Sequence, residues 1–225
     1  SNTSYRTLVC YKESYEFAPL DPADPPVWTG TWSDSRFSPP ADGGKPENAL
    51  KGQIYSVNAY RQDAIKVSSE EGKLRFWRNS AAATLAPGQS LSFPETVGYE
   101  WDEDQDNGFR PPGVIRLSSA TYFVQNHKVG LDGSVYAPAW VTHNLTLFKR
   151  PGGALIFAAG TMQWSWGLDS GHDHGSGFAP AAPLRQATVN LFAEMGVQPA
   201  SLQSGLVPAS PTPDATPPTS TITFP

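Results

Sequence analysis

A single cysteine among 225 residues excludes an internal disulfide framework, and Cys10, set in the apolar stretch Leu8-Val9-Cys10-Tyr11, reads as a buried, inert thiol that leaves the redox compartment unmarked. No apolar run reaches the about 18 residues that a membrane-spanning helix needs, and no charged-then-apolar leader opens the chain, so it reads as soluble without a membrane span. Basic side chains are few, 16 against 21 acids for a net charge of -5, which argues against a nucleic-acid partner. The chain also lacks a Gly-x-Ser-x-Gly elbow, a phosphate loop and a dinucleotide fingerprint, and its cysteine has no histidine at a recognisable catalytic spacing.

What is abundant is proline and glycine, 22 and 20 residues, which imply many turns and long loops. Tyr5 to Lys12 alternates as a strand does. The proline-rich stretch from Phe17 to Pro46 reads as a long excursion pinned by Trp28, Trp32 and Phe37, and a loop of that length is usually functional. Gln53 to Val57, Ala64 to Val67, Leu74 to Trp77, Leu91 to Phe93 and Val114 to Leu117 have strand character. Asn144 to Phe148, the turn Arg150 to Gly153 and the wholly apolar Leu155 to Ala159 form a strand-turn-strand unit whose second strand is expected to be central. Pro183 opens a helix running to Met195, with Leu184, Ala187, Leu191 and Met195 on one stripe and Gly196 as the stop. Residues 1–207 are therefore expected to form one domain. Residues 208–225 read as a Pro/Ser/Thr-rich linker toward an immunoglobulin-like module.

The densest chemistry lies between Gly98 and Gly108, where Glu100, Asp102, Glu103, Asp104 and Asp106 place five carboxylates in seven residues of a chain only 16% charged. Acid at that density needs a counter-ion or water. Aligning these groups on one pleated face would set like charges side by side. The expectation is a strand from Val97 to Trp101 that holds Glu100 rigidly, followed by a solvated or cation-binding loop closed by Asn107-Gly108. Asp102, Asp104 and Asp106 imitate the start of an EF-hand calcium loop, but its sixth position is Asn107 instead of Gly and its twelfth is Gly113 instead of Glu. Calcium held in another geometry stays open.

His172 and His174 are a second metal-ligand candidate, weighed against simple solvation in a Gly/Ser loop. Trp164 and Trp166, at strand spacing, would share one face, suited to a core wall or, with Trp101, to a pocket wall.

Several segments together resemble the C-terminal part of the N,N-dimethylformamidase large (beta) subunit-like family, in its secreted bacterial branch. They are Arg6 to Lys12, Phe37 to Gly44, Pro46 to Leu50, Gly98 to Gly113, and Ala159 to Trp166 with the Gln186 to Pro199 helix. The resemblance implies an α/β, strand-rich fold, the C-terminal portion of a glutamine-amidotransferase-like domain with long loops and one C-terminal helix. It also implies a secreted or extracellular multi-domain protein. In the family's characterised amidase, one iron is held by two tyrosines and a glutamate and activates water against an amide. The Gly-Tyr-Glu-x-Asp pattern carrying that glutamate matches Gly98-Tyr99-Glu100-Trp101-Asp102, so Glu100 is the implied ligand. The two tyrosine segments would lie upstream of Arg6, which implies a missing N-terminal half or a partner chain. The expectation is thus a segment of an amidase-like, iron-type hydrolase of small amides, inactive when isolated. The alternative is a non-catalytic secreted binding module whose aromatic surface comprises Trp28, Trp32, Trp164 and Trp166.

Overall fold

The computed structural model describes residues 46–130, 135–172, 180–214, 216 and 219–221. The expected strand at Tyr5 to Lys12, most of the proline-rich excursion, Cys10, Trp28, Trp32 and His174 lie outside the described residues. Among the described residues there are seven strands: β1 (Ile54–Asn58), β2 (Asp63–Ser68), β3 (Ser90–Val97), β4 (Glu100–Glu103), β5 (Ile115–Gly130), β6 (Val135–Lys149) and β7 (Leu155–Ala158). Three α-helical segments join them, α1 (Asn48–Lys51), α2 (Ser69–Gly72) and α3 (Ala182–Glu194). The domain is strand-rich, and every strand pair is antiparallel.

The larger sheet runs β4-β1-β5-β6-β7, and β4 also pairs with β6 through Glu103 and His143. Four strands therefore close into a ring of pairings. The long β5-β6 ribbon makes this geometry, because irregularities at Arg116/Ser118 and Val124/Lys128 bend it enough to meet β1 at Lys128 and β4 at His143. The β2-β3 pair forms a second sheet packed on β5. Trp77, Trp101, Leu117, Leu145 and Leu184 are fully buried between these layers. The indole N–H of Trp77 donates to Leu117 O at 2.8 Å, so the bulky ring is satisfied as well as packed.

Three local readings are corrected. Leu74 to Trp77 is not a strand: Ser68 and Glu71 form a capping box that starts α2, and a 3₁₀ turn, Arg75–Trp77, follows. Leu155–Ala158 is the outermost strand of its sheet, not a central one, and its apolar side chains serve packing such as Phe157 against Phe76 at 5.5 Å. Trp164–Gly167 is a 3₁₀ turn, so Trp164 and Trp166 do not share a face.

The helix at α3 forms as its pattern predicts, with proline in the first turn and Gly196 at φ 75° beyond its end. Leu184, Ala187 and Leu191 are buried, whereas Met195 faces solvent. The chain does not leave the domain at Pro208. Val207 N donates to Gln186 Oε1 at 2.8 Å, Thr212 N donates to Glu194 Oε2 at 2.9 Å, and Arg75 and Arg78 donate to Ser210 O. The segment through Thr212 is thus pinned along α3. No described helix is long and apolar enough to cross a membrane.

Candidate functional site

The acidic segment is a strand for longer than expected. β3 ends at Val97, the chain turns at Gly98 and Tyr99, and β4 carries Glu100, Trp101, Asp102 and Glu103 against β1. Like charges sit along one strand because three of its acids, together with Asp104 just beyond it, have been sorted into separate environments. Lys51 Nζ donates to Asp102 Oδ2 at 2.5 Å. Lys128 donates to Glu103, whose other partners are Gln105 Nε2 at 2.7 Å and Thr142 N at 3.0 Å. Burial pushes the Glu103 carboxyl up, and the bonds from Lys128, Thr142 and Gln105 outweigh it, leaving Glu103 more acidic than usual. Asp104, with a fully buried side chain, is gripped by Arg110 at 2.6 and 2.8 Å and by Arg116 at 2.8 Å. Here too burial raises the pKa, and the two guanidinium groups more than reverse the effect.

Glu100 differs from all of these. It is exposed at the start of β4, opposite Asn58, and has no hydrogen-bond or ion-pair partner among the described residues. It opens onto a concavity of about 380 Å³ shared with Lys51, Tyr55, Asp102 and the stretch Phe157 to Met162. The Tyr55 phenol is held well above its ordinary pKa, first by burial and then by the negative charges of Glu100 and Asp102, so it stays protonated and can only act as a neutral donor or acceptor.

The far wall is held from beneath. Nε2 of the fully buried His143 bonds to Ala159 O at 3.0 Å, and Asp102 N donates to Gly160 O at 2.8 Å. Gly160 has φ 62°, and a side chain there would meet Gln53 Oε1 at 2.8 Å and Asn144 O at 2.9 Å, so glycine is required on both counts. Below it, Gln53 Nε2 donates to Asn144 O at 2.6 Å and Asn144 Nδ2 donates to Ser118 O at 3.1 Å. On the near side, Asn48 and Asn107 exchange amide hydrogen bonds at 2.7 and 3.2 Å, fastening α1 to the loop that ends the acidic segment.

Asp102, Asp104 and Asp106 do not converge. The first two are spent on Lys51 and on Arg110 and Arg116, and Asp106 is exposed in the loop. Among the described residues, no three His, Cys, Asp or Glu side chains gather as a metal-binding group. His172 stacks on Trp166 at 4.3 Å, while His174 lies outside the described residues. Trp101 is core, packed edge-on against His143 at 5.9 Å, Trp164 packs on Phe157 at 5.4 Å, and Trp166 lines a surface concavity.

Tyr55 and His143 escape the sequence because they reach the site through pairing of distant strands, and Lys51 because α1 sets it against Asp102 from 51 residues away. Arg110 and Arg116 carried a usable signal, as the only cations within twelve residues after Asp104.

The site belongs to a strand-rich domain that neutralises most of an acidic strand with its own cations and turns one carboxylate outward. A family model described as N,N-dimethylformamidase beta subunit-like, C-terminal, matches residues 1–176, and the chain belongs to that family. No curated protein and no solved structure matches the chain.

Proposed function

We propose that this chain is the C-terminal part of a metal-dependent hydrolase acting on small amide C–N bonds, and that Glu100 is its contribution to the metal. The observation that carries this reading is the contrast within one strand: Asp102 and Glu103 are consumed by protein cations, whereas Glu100 is left without a partner at the mouth of a concavity. One carboxylate fits one position of an oxygen-donor set and does not complete it, so the remaining donors come from the rest of the subunit or from a partner chain. Iron, which the family resemblance implies, would polarise the amide carbonyl and make bound water more acidic.

The chain's own groups have separable tasks. Trp101, buried beside Glu100, fixes the strand and hence the direction of the carboxylate. Lys51 keeps Asp102 occupied and so prevents it from competing for the same cation. The protonated Tyr55 offers a hydrogen bond to an oxygen of the substrate within the same concavity. A glutamine-amidotransferase-like context belongs to the same proposal: β7 leaves one edge unpaired among the described residues, where a strand of the upstream half can add.

The alternative, a binding module with an aromatic surface, is favoured by the Phe123–Trp140 pair, whose rings meet at 5.5 Å with Trp140 71% exposed. Assaying small-amide hydrolysis by the complete subunit, with and without a chelator, separates the two. Turnover that the chelator abolishes supports the hydrolase, and absence of turnover in the metal-loaded protein supports the module.

A further inference from the structure

A second concavity, of about 560 Å³, is lined by Tyr60, Arg61, Gln62, Tyr99, Gln163 and Trp166. Nothing in the proposed hydrolase site uses it. Tyr60 and Tyr99 lie 6.4 Å apart with their rings tilted by only 18°, and Tyr60 is fully exposed. An isolated aromatic on a surface is common, but two near-parallel rings with a tryptophan in the same groove make a flat slot of mixed polar and apolar lining.

The polar group of this slot is Gln163. Its backbone is fixed: Thr161 Oγ1 accepts from both Gln163 N and Gly98 N at 3.0 Å, and Gln163 O accepts from Trp166 N at 3.1 Å. Its side chain is 1% exposed and lies against Gly98, where an added Cβ would come within 2.7 Å of the amide carbon. Neither Oε1 nor Nε2 has a hydrogen-bond partner among the described residues. A buried amide with both ends unmet is destabilising, and folds rarely carry such a group without a use for it. The terminal torsion of glutamine is broad, and ligand binding requires the buried amide to rotate so that its edge meets the slot.

We propose that this groove is a binding site for a neutral, planar ligand that carries an N–H donor beside a carbonyl acceptor, a carboxamide on a flat apolar body. Once turned toward the slot, the amide edge of Gln163, buried in this structure, would offer one acceptor and one donor side by side, and a carboxamide is its complement. The ligand is neutral because the one charge in the slot is already spent: Arg61 donates to Asp63 at 2.5 and 2.9 Å and to Phe123 O at 2.8 Å. The body stacks on Tyr60 and Tyr99. This site stands without Glu100 and without any metal.

The test titrates the full 225-residue chain with benzamide, following tryptophan fluorescence, beside benzoate and N,N-dimethylbenzamide as probes of the same shape. Benzamide is expected to saturate, with both analogues weaker by about tenfold or more. Gln163→Met is expected to weaken benzamide by a similar factor without lowering the melting temperature, since it removes an unmet polar group. Tyr99→Ala, which keeps Gln163, is expected to weaken all three probes alike. Equal binding of the three probes, no saturation by about 50 mM benzamide, or a Gln163→Met protein that melts earlier and still binds benzamide normally would each overturn the proposal.

Discussion

His143 and Ala159 join the interior of the domain to the wall of its open site: with a carbonyl as partner at 3.0 Å, Nε2 must carry the proton and donate, which leaves Nδ1 as a buried lone pair. Burial lowers the His143 pKa to about 4, against a smaller upward pull from the carbonyls of Ala159 and Gly160.

This neutral histidine predicts acid sensitivity in a defined window. The folded pKa lies below the unfolded value of 6.5, so stability is complete above pH 6.5 and falls as the pH drops from there toward 4, by up to about 3 kcal/mol. Urea midpoints measured at intervals between pH 7 and 4 should show the fall. His143→Leu, though less stable at pH 7, should flatten it. An unchanged slope in the variant would assign the acid sensitivity to other groups.

Asp104 gives a second, lower window. Its folded pKa is depressed, so the stability it supplies is present above the ordinary carboxylate value of 3.8 and is lost as the pH falls through its lower folded value. Asp104→Asn should cost about 3 kcal/mol, because it breaks a buried pair with two arginines. Asp102→Asn, facing the more exposed Lys51, should cost under about 1 kcal/mol. Denaturant titrations of both variants decide this, and equal losses would contradict it.

The pinned segment after Val207 makes a third prediction. Truncation after Val207 removes the bonds of Ser210 and Thr212 to Arg75, Arg78 and Glu194, and should lower the melting temperature by about 2–4 °C. Truncation after Asp214 should leave it unchanged. Calorimetry of the two truncations checks the boundary.

Much of the fold was legible where local chemistry decides it. β1 and β2 follow from runs containing β-branched residues, part of β3 from the short Leu91 to Phe93 stretch after the Pro87-Gly88 turn, and α3 from its proline, its stripe and Gly196. The Ser68-x-x-Glu71 box, which overrides the strand character of Leu74 to Trp77, is equally legible as a helix start. The length of β5 and β6 was not, because the polar face and bulges of that ribbon blur a period of two over its second half. At the site, the density of acids is legible in the sequence, but which of them are buried is not. Asp104, expected in a solvated loop, is the most deeply buried of the described acids; Arg110 and Arg116 stand close to it in sequence, but nothing in its neighbourhood reveals that Asn144 closes over it. Counter-ions contributed by distant strands are invisible to spacing.

The central claim is that Glu100, alone among the five acids, is offered to a metal. Its most direct test is the metal content of the complete subunit carrying Glu100→Gln, measured beside Asp102→Asn and the unaltered protein after identical purification. The account predicts that Glu100→Gln, which keeps shape and removes charge, loses the metal and metal-dependent amide hydrolysis together, whereas Asp102→Asn keeps both. Retention of stoichiometric metal and full turnover by Glu100→Gln would contradict it.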